Sequence, residues 1–260
     1  MPTSNRLAAH GDGLAQSRDE SPRNAGKSEW SVSSRKFLLE RDMTFPARNW
    51  LQFAGFTTKD EFRTPWGICD LVGVKLSNRY IEDRLSLSQS RPVGNARQVA
   101  LLESIPGDDG ISISELALTT STLFSVDELQ KELRHLQAGH FVSSREGGLY
   151  TRQIPESAGG NLIVAVEIKL DKIEEVLFQA RANLAFAHRS YIGMPTANAE
   201  RLARSERSKE LCLSGVGLLS VERGRCEELI GSAGDDSLSN PSVRAHCIER
   251  FWRTLTGNTA

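Results

Sequence analysis

At positions 162–169 the chain reads Leu-Ile-Val-Ala-Val-Glu-Ile-Lys, which is its strongest strand signal. Residues 162–166 are apolar at every position and rich in β-branched side chains, a pattern typical of a strand that is buried on both faces. We therefore expect a central strand of a sheet. Because residues two apart in a strand point to the same side, Glu167 and Lys169 should project together from one face at its end.

The elements after this strand predict a parallel crossover. A long helix is expected from about Lys172 to His188, and a second buried strand at 190–195 ends at a proline. A strand, a helix and a strand in this order favour two parallel strands joined by the helix. Further along, the pattern predicts a short strand at 215–221 and a closing amphipathic helix at 242–255.

A helix and a β-hairpin are predicted upstream. Apolar residues recur at near-helical spacing from Thr44 until Gly55 ends the pattern. Two strands at 56–62 and 68–76 follow, separated by the turn sequence Thr-Pro-Trp-Gly. The second of these strands carries Asp70. Helices and strands mixed in this way predict an α/β (mixed α+β) fold class.

The segment between these two parts has a pattern of its own. After a linker-like Ser-Arg-Pro-Val-Gly at 90–94, helices are predicted at 97–105, 112–119 and 125–138, the last with Ser125 and Glu128 in capping-box spacing. Strands at 141–142 and 149–150 flank a polar turn. Three helices and a hairpin resemble a winged helix.

These patterns divide the chain into four segments. Residues 1–30 are rich in polar residues and glycine, with few apolar side chains to offset the entropy of ordering, and predict a disordered tail. The remaining segments are the first part of a core domain at 31–90, a winged-helix insertion at 91–155 and the second part of the core at 156–260.

Composition sets limits on function. Hydrophobic residues make up 39% and charged residues 25% of the 260 positions, which excludes a wholly disordered chain. The net charge of −1 gives no overall attraction to nucleic acid, so any DNA contact must come from local basic patches. The densest basic cluster lies at 201–209, where a solvated helix face is the favoured interpretation.

The cysteines and the apolar runs indicate the compartment. The four cysteines show no Cys-x-x-Cys spacing, so we interpret them as small buried hydrophobes rather than zinc ligands or a redox pair. No apolar run approaches the roughly 20 residues that span a bilayer, and the first residues lack a signal-peptide pattern. We expect a cytoplasmic protein without membrane contact.

Asp70, Glu167 and Lys169 form the candidate catalytic set. If the strand with Asp70 lies beside the strand with Glu167, two carboxylates converge with a lysine, and such carboxylates suit Mg²⁺. An isolated Glu-x-Lys is commonly just an exposed strand edge. Here it ends the most hydrophobic strand, where a charged pair is costly unless it has a partner or a role.

At this point the sequence resembles the PD-(D/E)XK nuclease superfamily, whose core runs helix, hairpin with an Asp, strand with Glu-x-Lys, helix and strand. The resemblance rests on Pro-Trp-Gly-Ile-Cys-Asp-Leu-Val at 65–72 and Val-Ala-Val-Glu-Ile-Lys at 164–169. It implies a restriction endonuclease-like mixed β-sheet flanked by helices. It also implies a nuclease that depends on Mg²⁺ or Mn²⁺, with Asp70 and Glu167 as metal ligands and Lys169 as a catalytic residue.

Two more residues enter the candidate site through this resemblance. Gln179, in the helix after Glu-x-Lys, matches a position common in the superfamily and would contact a phosphate or the nucleophilic water, although a mid-helix glutamine is often structural. Many relatives carry a glutamate on the first helix, but the predicted helix here has none. Glu40 precedes that helix, and Glu61 on the hairpin is the candidate third metal ligand.

The winged helix supplies candidate nucleic-acid contacts. A winged helix usually reads DNA with its third helix, where Lys131, Arg134 and His135 lie, and Arg145 occupies the predicted wing. Acidic residues on the same helix weaken this expectation, because binding by counterion release needs clustered cations. Protein contact or scaffolding remain alternatives for this unit.

The sequence therefore predicts a Mg²⁺-dependent nuclease that hydrolyses DNA phosphodiester bonds, with the winged helix aiding substrate recognition. DNA is the expected partner, and a protein partner or a homodimer is also considered. The alternative is a catalytically inactive nuclease-like protein that acts as a DNA-binding regulator or as a subunit of a defence complex. A third interpretation is a generic α/β interaction protein in which Glu-x-Lys is fortuitous.

Overall fold

A computed structural model of the protein describes residues 37–153 and 160–255, so the predicted tail at 1–30 lies outside the described residues. The strands are β1 (Thr57–Thr64), β2 (Gly67–Lys75), β3 (Ile111–Ser112), β4 (Val142–Arg145), β5 (Leu149–Arg152), β6 (Leu162–Ile168), β7 (Arg189–Pro195), β8 (Val216–Glu222) and β9 (Arg225–Ile230). The helices are α1 (Arg41–Phe53), α2 (Asn78–Ser86), α3 (Ala96–Glu103), α4 (Ile113–Thr119), α5 (Val126–Ala138), α6 (Ile173–Asn183), α7 (Thr196–Ala203), α8 (Arg207–Leu213) and α9 (Pro241–Leu255).

The core is a six-stranded mixed sheet in the order β1-β2-β6-β7-β8-β9. Strand β6 pairs antiparallel with β2 and parallel with β7, and α6 connects the two parallel strands. Every residue of β6 after Leu162 is buried, as expected for a strand covered on both faces. The predicted mixed α/β fold with a central strand and a parallel crossover is confirmed.

Helix α1 covers one face of the sheet. Met43, Ala47 and Leu51 are buried in it and pack with alternate residues of the sheet, among them Val166. The sequence pattern started the helix at Thr44, whereas it begins at Arg41. Phe45 belongs to the apolar pattern that predicted this helix, but its side chain is 59% exposed, so it does not pack on the sheet as the pattern implied.

The opposite face of the sheet is covered by α6 and α9. Helix α6 ends at Asn183, so the predicted extension to His188 is wrong. The chain turns there because Phe186 leaves the helix direction and stacks near Phe62, with ring centroids 6.1 Å apart. Helix α9 closes this face as predicted, with Phe251 fully buried against Phe62.

Strand β9 has no counterpart in the sequence prediction. It forms the edge of the sheet beside β8, and most of its side chains are exposed. Its sequence, Arg-Cys-Glu-Glu-Leu-Ile, lacks the apolar alternation that marks a half-buried strand. Pairing with β8, rather than burial of its own side chains, accounts for this strand.

The segment between β2 and β6 forms a separate cluster of helices and a small sheet. Helices α3, α4 and α5 enclose an apolar cluster that includes Leu101, Leu116 and Leu129, beside an antiparallel sheet in the order β3-β5-β4. The predicted capping box of α5, with Ser125 and Glu128, is confirmed. Strand β3 was not predicted, because it is only two residues long.

The turn after α5 has its left-handed residue one position beyond the glycine. Gly139 is the C-cap residue, and its φ of −87° is not left-handed. The left-handed conformation falls on His140, with a φ of 62°.

No helix among the described residues is long and apolar enough to cross a membrane.

Candidate active site

Asp70 and Glu167 meet where β2 and β6 part. The antiparallel ladder of these strands ends with Leu71 opposite Val166. Asp70 on β2 and Glu167 on β6 are the next residues beyond this last pair. Beyond the ladder, the backbone N–H of Ile168 donates to Oδ2 of Asp70 at 2.7 Å. The carboxylate of Asp70 is thereby tied to the strand that carries Glu167 and Lys169, although 97 residues separate the two acids in the sequence.

The carboxylate of Glu167 is the more deeply buried of the two, with 3% of the residue exposed. The side-chain amide of Asn183, on the last turn of α6, donates to its Oε1 at 2.6 Å. Burial raises the pKa of Glu167 to about 7; the charge of Asp70 adds to this increase and the bond from Asn183 opposes it. At neutral pH this acid therefore lies near the midpoint of its titration.

Asp70 is half-buried and its carboxyl is perturbed in the same direction. Burial raises its pKa, while the hydrogen bond from the Ile168 amide and the charge of Lys169 oppose the increase. The charge of Glu40 raises it further. Two acids that are both pushed toward the neutral form by burial and by acidic neighbours are a frequent property of functional sites, where a cation or a proton resolves the repulsion.

Lys169 lies beside the pair and is held by Glu40. Its Nζ is 3.1 Å from Oε2 of Glu40, and the side chain of the lysine is mostly buried. Burial alone would lower the pKa of Lys169, but the hydrogen bond and charge of Glu40, together with the charge of Asp70, outweigh burial and raise it. Lys169 is therefore a cation at neutral pH rather than a proton acceptor.

Glu40 is the site residue that sequence reasoning left outside the candidate set. It occupies the N-cap position of α1, and besides the ion pair it accepts a hydrogen bond from the Leu170 N–H at 3.3 Å. The helix begins three residues earlier than predicted, which brings an acid at its start to the site. A comparison of Glu40 with the helix glutamate of the superfamily would have been the available signal.

Gln179 lies on α6 one turn before Asn183. Residues four apart on a helix share a face, so the Gln179 side chain is on the side of α6 from which Asn183 reaches Glu167. Its Oε1 is buried and has no hydrogen-bond partner among residues 37–153 and 160–255. A buried amide oxygen without a partner is costly, and this favours a role in binding over a purely structural one.

Glu61 is not brought to the pair. It is exposed on β1 at a left-handed φ of 47°, at the unpaired step of the ladder between Asp60–Leu71 and Phe62–Cys69, and it is not among the charges that perturb Asp70 or Glu167. Within the described part of the chain, no three His, Cys, Asp or Glu side chains are grouped closely enough to hold a metal ion. Asp70 and Glu167 are thus a pair of acids without a third ligand from Glu61.

Cys69 and Asn183 lie next to the buried carboxylate of Glu167. The amide of Asn183 that donates to Glu167 also lies 3.5 Å from the Cys69 sulfur. Burial and the charge of Glu167 raise the pKa of the Cys69 thiol well above its usual value, so it stays neutral. The sequence prediction that the cysteines act as small buried groups is confirmed for Cys69 and Cys247 and is wrong for Cys212, which is exposed. The position of Cys69 beside the site follows only from the fold.

The predicted nucleic-acid contacts lie at the surface of the inserted unit. Lys131, Arg134 and His135 are exposed on α5, and none of them forms an ion pair with a residue that the structure describes. Arg145 is exposed at the tip of β4, where it donates to the Asp108 carbonyl oxygen at 2.7 Å. These side chains are accessible to a partner molecule.

The basic segment at 201–209 is largely neutralised within the protein. Arg204 pairs with Glu200 at 2.8 Å, Arg207 with Glu174 at 3.1 Å and Lys209 with Glu206 at 2.6 Å. The interpretation of this segment as a solvated helix face is confirmed. Local density of lysine and arginine in the sequence does not make it a surface of unpaired positive charge.

Comparisons with known proteins give no family. No protein-family model matches the chain, and no curated protein matches it. A solved structure, described as the SPO1766 protein of unknown function from Silicibacter pomeroyi, is similar at 17% sequence identity over 49% of this chain and 88% of that chain, with a TM-score of 0.25. A likeness of this extent supports no conclusion about fold or function.

Proposed function

We propose that this chain is a metal-dependent nuclease that hydrolyses phosphodiester bonds in DNA. The observation that carries the proposal is the meeting of Asp70 and Glu167 where β2 and β6 part, with Lys169 beside them. Acids that repel one another in a half-buried position are destabilising in the absence of a cation. This arrangement is expected of a site that gains its cation from solution.

The order of elements supports the same proposal. Helix α1, the β1–β2 hairpin, β6, α6 and β7 follow the order of a restriction endonuclease-like core. The inserted unit has the order α3, β3, α4, α5, β4 and β5, with β5 between the other two strands, which is the arrangement of a winged helix. We assign that unit as a winged helix that aids substrate recognition.

The residues at the site fit a hard divalent cation. Carboxylate oxygens are the ligands that Mg²⁺ and Mn²⁺ prefer, and the hydrogen bonds from Ile168 and Asn183 account for one oxygen of each carboxylate. Asp70 and Glu167 would hold the ion. When bound, such an ion polarises a phosphate and lowers the pKa of a coordinated water.

The remaining residues act by charge and by orientation. Lys169, kept protonated by Glu40, offers a positive charge to the phosphate that gains negative charge during hydrolysis. Asn183 orients the Glu167 carboxylate through its amide. Gln179 presents a buried amide whose oxygen is free to accept a hydrogen bond from a water near the site.

A plasmid-cleavage assay tests the proposal. The full-length protein should cut DNA with Mg²⁺ or Mn²⁺ and not with a chelator, and Asp70→Asn or Lys169→Met should each lower the rate by at least about 100-fold, as the loss of one transition-state contact does. Glu61→Gln is the matched control, because Glu61 is an exposed acid on the adjacent strand, and it should retain the rate. Cleavage that survives both site substitutions would show that the site is wrongly assigned.

A second candidate function has one specific observation in its favour. The described residues contain no group of three metal-ligating side chains, and the acid nearest to completing one, Glu40, is paired with Lys169. A protein that has kept the fold and lost turnover would show this arrangement and act as a DNA-binding regulator or a subunit of a defence complex. DNA binding without cleavage in the same assay would favour this candidate.

A further inference from the structure

Three basic side chains come together at the edge of the sheet, where β1 meets α9. Lys59 donates from Nζ to the backbone carbonyl of Arg250 at 2.7 Å. The guanidinium of Arg250 lies 3.7 Å from the Phe62 ring centroid and donates to the carbonyl oxygen of Arg63. Arg253 lies one turn further along the same face of α9. We call Lys59, Arg250 and Arg253 the β1–α9 ridge.

The ridge is not neutralised by acidic residues. None of its three cations forms an ion pair with an Asp or Glu within residues 37–153 and 160–255, and their polar contacts are backbone carbonyls. Asp60 on the same strand is engaged by Arg48 of α1. A chain of net charge −1 has enough acids to pair these cations, so an unpaired cluster is notable.

The other acid on this part of β1, Glu61, is exposed and forms no ion pair with any of the three described cations. His246, on the same face of α9, adds no charge. Burial, followed by the charges of Arg250 and Arg253, lowers the pKa of His246, so the imidazole is neutral at pH 7. The ridge therefore carries three cations, and Glu249, the acid that feels the charge of Arg253, is already paired with Arg84.

The ridge and the candidate active site lie on neighbouring strands. Arg63, whose carbonyl oxygen accepts from Arg250, is opposite Ile68 in the β1–β2 ladder, two residues before Asp70. Strands in a sheet are about 4.8 Å apart, which puts β1 roughly 10 Å from β6. Helix α9 also packs on the side of the sheet that carries α6, from which Asn183 reaches Glu167. One duplex is wide enough to touch both places.

We propose that the β1–α9 ridge binds backbone phosphates of duplex DNA whose scissile phosphate lies at Asp70 and Glu167, an inference that rests on the proposed nuclease function. Guanidinium groups match phosphate oxygens in geometry, and clustered cations gain affinity from counterion release. Phe62, the ring beneath Arg250, is buried and cannot stack on a base. The ridge therefore suits contact with the backbone and not base recognition or single-strand stacking.

The salt dependence of DNA binding tests the ridge without any cleavage. The full-length protein is titrated onto a labelled random-sequence duplex in a chelator at several salt concentrations. Lys59→Gln with Arg253→Gln removes two of the three charges and leaves the Arg250–Phe62 contact in place. The slope of log affinity against log salt should become less steep by about 1.8, since each lost phosphate contact contributes about 0.9.

The matched control removes the same charge elsewhere. Arg204→Gln with Arg207→Gln acts on cations that are already paired with Glu200 and Glu174, so the slope should change by less than about half a phosphate contact. Thermal unfolding of both variants verifies that they are folded. Equal effects of the two pairs, an unchanged slope in the ridge variant, or no duplex binding by the wild type at low salt would each overturn the proposal.

The two proposals fail in distinguishable ways. Binding with the expected slope change but without cleavage under any metal contradicts the nuclease function and supports the ridge as a DNA-binding surface. Cleavage that depends on Asp70, with a ridge variant that binds and cuts like the wild type, contradicts the ridge alone. The chelator separates these outcomes, because no turnover occurs during the binding measurement.

Discussion

The ion pair of Arg84 with Glu249 and the acid pair of Asp70 with Glu167 are both buried charge clusters, yet their neighbours differ. Arg84 is 1% exposed and Glu249 is 8% exposed, and their side chains meet at 2.7 Å. Glu249 also accepts from the Val93 amide at 2.7 Å. Its charge thus has a partner on each oxygen.

The cation of that pair is equally enclosed. The Arg84 guanidinium lies 4.1 Å from the Trp252 ring centroid and donates to the carbonyl oxygen of Arg91 at 2.9 Å. Burial raises the pKa of Glu249, and Arg84 and the Val93 amide oppose this. At Glu167, in contrast, the charge with the largest effect on the pKa is that of another acid, Asp70, and the neighbouring cation Lys169 is already paired with Glu40. Each oxygen of Glu249 has a partner in the first cluster, whereas in the second the acids outnumber the cation.

This difference separates a structural cluster of buried charge from a candidate functional one. Arg84 on α2 and Glu249 on α9 join the core to the start of the inserted unit, where the amide of Val93 and the ring of Phe141 contact them. Removing one partner leaves a buried charge alone. At the acid pair, removing one partner relieves a repulsion, so opposite effects on the free energy of unfolding are expected.

The largest effect is expected at the structural pair. Arg84→Met should lower the free energy of unfolding by about 3 to 5 kcal/mol, because it leaves Glu249 buried without its cation. The change in urea unfolding at pH 7 measures it. The double variant Arg84→Met with Glu249→Met should recover much of the loss, since no buried charge remains. Arg204→Met, at an exposed pair, is the control and should cost less than about 1 kcal/mol.

An effect of opposite sign is expected at Glu167. A folded-state pKa of about 7, above the ordinary 4.5, means that folding favours the protonated acid. Its contribution to stability is therefore greatest below pH 4.5 and is lost as the pH rises through 7. Without metal at pH 8, Glu167→Gln should raise the free energy of unfolding by about 2 kcal/mol, somewhat less than the full shift implies at about 1.4 kcal/mol per unit.

The pH series supplies the decisive control for this substitution. The advantage of Glu167→Gln should shrink toward zero near pH 4.5, and added Mn²⁺ should stabilise the wild type but not the variant. Glu61→Gln, at an exposed acid, should show neither effect. If Glu167→Gln destabilised the protein at pH 8 as Arg84→Met does, both clusters would be structural and the distinction between them would be lost.

The sequence predicted the parts of this comparison that depend on local pattern. The apolar run before Glu167 identified β6, and the period of a strand placed Glu167 and Lys169 together. Asp70 was found through the hairpin that carries it. The prediction that these three residues form one site relied on two strands becoming neighbours, which the β2–β6 ladder provides.

The rest depends on contacts between distant parts of the chain. Arg84 and Glu249 are 165 residues apart, and no spacing rule links a charge on α2 to one on α9. The β1–α9 ridge likewise combines two segments of ordinary composition, while the segment with the highest basic density pairs internally. Glu40 was missed because a helix start is uncertain by a few residues, and here those residues decide whether an acid reaches the site.

The smallest effect on stability, and the finest test of the site, is expected at Glu40. Its ion pair with Lys169 is partly exposed, so Glu40→Gln should change the free energy of unfolding by less than about 1 kcal/mol. Its effect should instead be on the pKa of Lys169, which burial lowers and Glu40 raises. Without that acid the lysine loses its proton at a lower pH.

The pH dependence of cleavage would show this change. If Lys169 must be a cation, the alkaline limb of the rate profile should move to lower pH in Glu40→Gln, with the acidic limb unchanged. Glu175→Gln is the matched control, because Glu175 also raises the pKa of Lys169 but contributes less than Glu40 or Asp70. An alkaline limb that stays in place in both variants would mean that the charge of Lys169 does not act on the phosphate, and the ion pair with Glu40 would then belong with Arg84 and Glu249 as structure.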